Sequence, residues 1–340
     1  MTQPLNQVVE WEQRCNTANN YYQQGKFLEY LQFANENLEL AKAIPDRAKE
    51  GYVLNHIGLA YLNCWQPQIA AEYFHQALEI AIEIRNERAE ATALSNLGST
   101  YSRLGQFSSA LTYFDKALQI LQKLQDVAGQ VSSLNEVALI YTRLDEPKRA
   151  LILQNQILAM RRLLGDFAGE AITLNGIGFA YNAMGKPKKA LKFFQQALPI
   201  QQSCKNLAGE ATTLNNIASI YTDLGKPKQA LLIYHQVLLT RCALNDRAGE
   251  ATTLNNLGFT YSTLANTYKA LQLYKKAIAI YQELGDTLGE ISTWLNIGSI
   301  YTTTKRKHLA RSSYQTAQEL AQKIQNQTLL DKIQQFIDAL

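Results

Sequence analysis

Tyr61, Tyr101, Tyr141, Tyr181, Tyr221, Tyr261 and Tyr301 recur every 40 residues without a slip, and Tyr21 extends the series toward the amino terminus. A fixed period of this size means that one supersecondary unit is copied and stacked, so that the core runs along an array and each unit buries its apolar face against its neighbours.

The columns around the tyrosines define the unit. Seven residues before each stands Leu54, Leu94, Leu134, Leu174, Leu214, Leu254 or Trp294, and four before stands Ile57, Leu97, Val137, Ile177, Ile217, Leu257 or Ile297. Three before, the residue is always small: Gly58, Gly98, Ala138, Gly178, Ala218, Gly258 or Gly298. This spacing predicts the apolar face of an amphipathic helix, with a small residue where a neighbouring helix comes close. Nine residues after each tyrosine comes Ala70, Ala110, Ala150, Ala190, Ala230, Ala270 or Ala310, followed at helical spacing in six repeats by Phe74, Phe114, Phe194, Tyr234, Tyr274 or Tyr314, which predicts a second helix. Gly105-Gln106, Gly185-Lys186-Pro187 and Gly225-Lys226-Pro227 separate the two helices; glycine there can close one helix in the left-handed conformation and proline can open the next. Between repeats, Asp126, Asp166, Asn206, Asp246 and Asp286 are placed to cap the following helix, with Gln130, Glu170, Glu210, Glu250 and Glu290 in its first turn.

On Leu174, Ile177, Gly178, Tyr181, Ala190, Phe194 and Ala197, with equivalents in most repeats, the chain resembles the tetratricopeptide-repeat family over nearly its whole length. Strings such as Gly249-Glu250-Ala251-Thr252-Thr253-Leu254-Asn255-Asn256-Leu257-Gly258 are similar to the 40-residue subclass found in kinesin light chains, spindle-orientation adaptors and bacterial arrays. The resemblance implies an all-α, right-handed solenoid of about eight helix-turn-helix repeats over 1–326, and a protein or peptide as partner. A capping helix is expected over 327–340, where Leu329, Leu330, Ile333, Phe336, Ile337 and Leu340 form one stripe. The first repeat exchanges large and small residues, with Tyr30 in the alanine column and Ala34 in the aromatic one, and in the fourth Gln154 replaces the aromatic and Ile157 the small residue, so both are expected to repack locally. With the first repeat starting almost at Met1, no effector domain is expected ahead of it.

Composition narrows the functional classes. With 46% hydrophobic and 18% charged residues and 7 Pro, the chain reads as a folded array, and no apolar run has the length of a membrane span. The start, Met1 to Gln7, has neither a basic region nor an apolar stretch, so no signal peptide is read and the cytoplasm is the expected location. Cys15, Cys64, Cys204 and Cys242 occupy different columns with no CxxC pair, as expected of reduced thiols. His56, His75, His235 and His308 are isolated and no HExxH occurs, so no metal site is expected. Gly176-Ile177-Gly178 lacks the third glycine of a dinucleotide fingerprint, and Gly185-Lys186 lacks the earlier glycine of a phosphate loop. No catalytic constellation and no cofactor site is read, and a non-enzymatic adaptor is the expectation.

Candidate binding residues lie on the face of the first helix that the core stripe leaves over. Six residues before the tyrosines stand Asn55, Ser95, Asn135, Asn175, Asn215 and Asn255. Two before stand Leu59, Ser99, Leu139, Phe179, Ser219, Phe259 and Ser299, and one after stand Ser102, Thr142 and Asn182 among others. By the resemblance this face lines the concave groove, with Arg103 and Arg143 beside it. An amide offers both donor and acceptor, so the asparagine ladder either pairs with the main chain of an extended peptide or bonds between neighbouring repeats; both readings stay open at this stage. Phe179 and Phe259 suit apolar anchors of a peptide equally with packing on their neighbours. Lys148, Arg149, Lys188, Lys189 and Lys228 form a basic rim at the starts of second helices, where lysine is unfavourable by roughly 0.3–1 kcal/mol. The rim fits a solvated edge or an anionic partner such as RNA, but a net charge of +4 is small for a dedicated nucleic-acid binder. A third role, regulation of an enzyme on a separate chain, is also compatible, and the oligomeric state is left open.

Overall fold

The computed structural model describes residues 3–324 and 326–340, with side chains from Gln7 onward; of the stretch read above for a signal, Met1 and Thr2 lie outside the described residues. Among the described residues there are seventeen helices and no strand. The chain divides into two compact units, residues 1–165 and 166–340. Unit 1 holds α1 (Gln3–Gln23), α2 (Phe27–Ala43), α3 (Arg47–Asn63), α4 (Pro67–Glu83), α5 (Glu87–Arg103), α6 (Phe107–Lys123), α7 (Val127–Arg143) and α8 (Pro147–Leu164). Unit 2 holds α9 (Phe167–Ala183), α10 (Pro187–Ser203), α11 (Leu207–Asp223), α12 (Pro227–Ala243), α13 (Arg247–Thr263), α14 (Thr267–Leu284), α15 (Thr287–Thr303), α16 (Lys307–Lys323) and α17 (Gln327–Asp338). In each unit every helix packs on the next, the arrangement of an α-solenoid.

The turns follow the sequence chemistry. Gly105, Gly185 and Gly225 take φ of +74°, +68° and +72° and close α5, α9 and α11. The carbonyls of the periodic tyrosines accept from the residue five positions on, as in Gln106 N to Tyr101 O at 2.9 Å and Lys226 N to Tyr221 O at 2.8 Å, so each tyrosine fixes its turn through its backbone. Pro147, Pro187 and Pro227 open α8, α10 and α12 at the first turn, where a missing N–H costs nothing. Between repeats, Asp126, Asn206, Asp246 and Asp286 accept from the N–H three residues on at 2.8–2.9 Å, the caps expected from sequence.

The core forms where the small column meets the aromatic column. A Cβ built on Gly58 would lie 2.7 Å from the Phe74 ring, and one on Gly178 2.7 Å from that of Phe194. Only a bare backbone lets the first helix approach its second so closely. Phe74, Phe114, Phe194, Tyr234 and Tyr274 are fully buried, each contributing about 1.5–3 kcal/mol. The alanine column is buried at every position from Ala70 to Ala310. Tyr30 and Ala34, exchanged in the first repeat, are both buried, as is Ile157 in the fourth, so the departures repack as expected. The tyrosine rings stack on the second helix in three repeats, Tyr61 on Tyr73, Tyr101 on Tyr113 and Tyr181 on Phe193, with centroids 5.2–5.4 Å apart. On α17, Ile333 is fully buried, Leu329, Leu330 and Ile337, with Leu340 just after the helix, pack in the same cluster, and Phe336 stacks on Tyr314.

Candidate binding site on the first-helix face

The asparagine ladder is engaged between repeats. In unit 1 Asn96 donates to the Asn55 Oδ1 at 2.8 Å and Ser95 meets Ser133 at 3.2 Å. In unit 2 Asn175 donates to Thr213 Oγ1 at 2.8 Å, Asn215 Oδ1 accepts from Thr253 and Asn256 at 3.4 Å each, and Asn255 Oδ1 accepts from Asn296 at 3.2 Å. These partners stand 38 or 41 positions ahead, one repeat minus two or plus one. Helical geometry brings those positions opposite one another when two first helices lie side by side. Asn182 follows the same rule: it hydrogen-bonds the Asp223 carboxyl, whose pKa burial nonetheless raises. Asn135 is half-buried on α7.

The arginines beside this face act on turns. Arg103 Nη1 donates to Leu62 O at 3.0 Å and Arg143 Nη1 to Ser102 O at 3.5 Å, each reaching back to the carboxyl end of the preceding first helix. They line a cleft of about 550 Å³ in unit 1 together with Trp65, Glu136 and Leu139. Trp65 stands at φ +58° in the turn position that Gly105, Gly185 and Gly225 fill in three repeats and Asp145, Ala265 and Lys305, each at φ +57°, fill in three others. A bulky residue is strained in that conformation, and this one is 84% exposed, with the Arg103 guanidinium 6.0 Å from its ring centroid. Leu139 beside it is 51% exposed. Burial therefore does not explain the indole, and neither does turn geometry.

In unit 2 the same column places Phe179 and Phe259 on the surface, 66% and 44% exposed, so neither is consumed by packing. Phe259 borders a cleft of about 400 Å³ with Ser262, Asn296, Ser299 and Thr303, whose lining is uncharged.

The basic rim has an internal use for part of its charge. Arg149 pairs with Glu146 at 2.8 Å and lies 5.4 Å from the Tyr141 ring centroid, and Lys189 lies 5.6 Å from that of Tyr181. Lys148, Lys188 and Lys228 are exposed at the first turns of their helices.

Sequence reasoning missed Trp65, because the turns were read for glycine and proline alone. A large aromatic in a turn register that otherwise holds glycine, alanine, aspartate or lysine was the available signal. It also missed a cavity of about 500 Å³ in unit 1 around Trp11, Tyr52 and His56, where burial pushes the His56 imidazole pKa down. Among the described residues no helix is long and apolar enough to cross a membrane, and no group of three or more His, Cys, Asp or Glu side chains gathers as metal ligands would.

Comparison with curated proteins gives no match. Among solved structures, the apo form of RapI is 18% identical with a TM-score of 0.70, over 81% of this chain and 99% of that one. The apo form of the quorum sensor NprR from B. thuringiensis is 15% identical with a TM-score of 0.72, over 90% and 86%. TPR-like repeats of the kinesin light chain type from Podosopora anserina are 18% identical with a TM-score of 0.51, over 61% and 99%. At these identities the likeness is one of fold. The tetratricopeptide repeat family profile matches residues 53–123, 90–163, 129–203, 169–242, 209–283 and 249–323 in overlapping steps of about one repeat. The chain belongs to the tetratricopeptide repeat family, whose fold typically serves as a protein-interaction scaffold.

Proposed function

We propose that this protein is a non-enzymatic cytoplasmic adaptor that captures an extended segment of a partner protein on its first-helix face, anchored in the unit 1 cleft. The observation that carries this reading is Trp65: a large aromatic, exposed at a turn and flanked by Arg103, Arg143 and Leu139 around one cleft. Aromatic and arginine side chains grouped in this way are the residues that dominate binding energy at interfaces. The two arginines spend some of their donors on turn carbonyls, and a guanidinium has five, so donors remain for a peptide carbonyl or carboxylate. Glu136 opposite them favours a segment of mixed charge. Phe179 and Phe259 offer apolar contacts in unit 2. The fold neighbour NprR is a quorum sensor.

The test is selection of a displayed peptide library on the wild-type chain, followed by affinity measurement of the selected peptides against Trp65→Ala. A loss of tenfold or more, with the melting temperature kept, supports the reading. Peptides that bind Trp65→Ala as tightly as wild type would sink it. The rival, a polyanion on the basic rim, is disfavoured by the engagement of Arg149 and Lys189 with tyrosine rings.

A further inference from the structure

The cavity around Trp11 is a modified copy of a gap that recurs between repeats. In the next repeat of unit 1 the equivalent space, 40 residues on, measures about 340 Å³ and is partly filled by Leu121. Leu121 lies over the glycine at the start of the following first helix: a Cβ on Gly129 would stand 2.6 Å from its Cδ2. In unit 2 Gln201 covers Gly209, Arg241 covers Gly249 and Tyr281 covers Gly289 in the same way. At the first of these positions the column holds Ala81, and opposite it Ala89 replaces the glycine. The filling side chain is gone, and the space is about 500 Å³. Gly51, where the column otherwise carries Ala91, Val131 or Ile291, removes a further side chain from the wall.

The lining is ordered by chemistry. Ala77, Ile80 and Ala81 of α4 and Ile84 just after it make an apolar floor, and the rings of Trp11 and Tyr52 meet edge to face at 5.8 Å, with Tyr52 also 4.2 Å from the His56 ring. Lys49 and Asp46 neutralise each other at 2.8 Å, and Lys49 also sits 4.9 Å from the Trp11 ring centroid. Arg88 at the mouth has no ion pair among the described residues, which leaves the cavity one uncompensated positive charge. The Trp11 indole N–H is buried without an acceptor. Asn55 spends its Oδ1 on Asn96 and keeps its amide donors. A donor-rich rim over an apolar floor asks for a ligand with the opposite arrangement. A buried N–H without a partner costs free energy that a ligand acceptor would recover.

We infer that this cavity is a binding site for a small amphiphilic carboxylate, a body about the size of a phenyl or branched-alkyl group carrying one negative charge. The apolar body lies on the α4 floor in the volume that Leu121 or Tyr281 occupies in other repeats, and the carboxylate meets Arg88, with the Trp11 N–H and the Asn55 amide as further donors. This site is separate from the Trp65 cleft and does not depend on the adaptor reading.

Calorimetric titration of the full chain with 3-phenylpropionate, 4-methylpentanoate and the neutral 3-phenylpropanol tests it. A ligand of about ten heavy atoms is expected to bind in the micromolar to millimolar range. At least one acid should bind, tenfold or more tighter than the alcohol. Ala81→Leu combined with Ala89→Gly, which installs the pair that the neighbouring repeat carries as Leu121 and Gly129, should remove binding while the melting curve stays cooperative. Arg88→Gln, on an exposed side chain that cannot unfold the chain, should bring the acid down to the affinity of the alcohol. Three results would each overturn the inference: no acid binding at millimolar concentration, equal binding of acid and alcohol to wild type, or undiminished acid binding in Arg88→Gln.

Discussion

The two units use the same columns for different ends. In unit 2 the inter-repeat positions are filled regularly: Asn175, Asn215 and Asn255 each find a threonine or asparagine in the next repeat, and Gln201, Arg241 and Tyr281 each cover a glycine. In unit 1 the same registers are interrupted more often. His56 and Glu136 flank Asn96 in the column where unit 2 has Asn216, Asn256 and Asn296 after Gly176; Ala81 leaves a gap; and Trp65 is the one large aromatic in a turn position held elsewhere by Gly105, Asp145, Gly185, Gly225, Ala265 and Lys305. The regular ladder of unit 2 spends most of its amide groups within the fold, although Asn175 Oδ1 is buried without a partner, whereas the interrupted one in unit 1 leaves donors, charge and volume unused. The difference teaches that binding chemistry in a repeat array is to be sought where a column departs from its own consensus.

The comparison can be broken most severely at the ladder itself. Combined Asn175→Ala, Asn215→Ala and Asn255→Ala should destabilise unit 2 by about 2–4 kcal/mol, at about 0.5–1.5 kcal/mol for each lost hydrogen bond. Urea unfolding monitored by circular dichroism checks this. An unchanged midpoint would return these amides to the groove and remove the contrast between the units. Next in size, Ala190→Leu should overpack the contact of α10 with α9 and cost about 1–3 kcal/mol, since Ala190 is fully buried. A variant as stable as wild type in the same assay would mean that the alanine column has room the structure does not show.

A smaller effect concerns the caps. Asp246→Ala should cost about 1 kcal/mol by orphaning the Gly249 N–H, which Asp246 accepts at 2.8 Å. Burial pushes the Asp246 pKa up, but the Gly249 N–H and the Arg241 guanidinium outweigh it and hold the carboxyl below the usual range. The folded pKa is lowered, so this contribution is fully present above the unfolded value of about 4 and is lost as pH falls through the folded one. Asp246→Asn keeps the cap, as Asn206 shows in the preceding repeat, and should flatten that part of the acid limb in thermal melts taken from pH 5 downward. An unaltered acid limb would mean that the Arg241 contact adds nothing. Smallest of all, replacing Lys148, Arg149, Lys188, Lys189 and Lys228 by Gln should change stability by no more than about 0.5 kcal/mol. It should also erase only weak RNA binding that disappears on adding salt. Submicromolar RNA binding at physiological salt, lost in this variant, would favour the rim over the cleft.

The repeat, its caps and its turns were legible because each rests on local chemistry: Asp126 before Gly129, Gly185 before Pro187, Gly58 sixteen residues before Phe74. The first-helix face was legible as a surface, and its use was not. An asparagine at position 215 reads the same whether its amide meets a peptide or Thr253, and the choice depends on how closely two first helices approach. Trp65 was visible as the one aromatic in its turn register, but its exposure and its place beside Arg103 depend on the next repeat. The Trp11 cavity draws on α1, α3, α4 and α5 at once, and its cause is an absence, Ala81 without its longer counterpart, which a reading by motif passes over.

The central claim is that unit 1 anchors the partner. It is tested most directly by measuring one selected peptide against two double variants, Trp65→Ala with Arg143→Ala in unit 1 and Phe179→Ala with Phe259→Ala in unit 2, by fluorescence anisotropy. The account predicts a loss of tenfold or more, about 1.4 kcal/mol, for the first pair and less than twofold for the second. The reverse order, or equal losses, would contradict it.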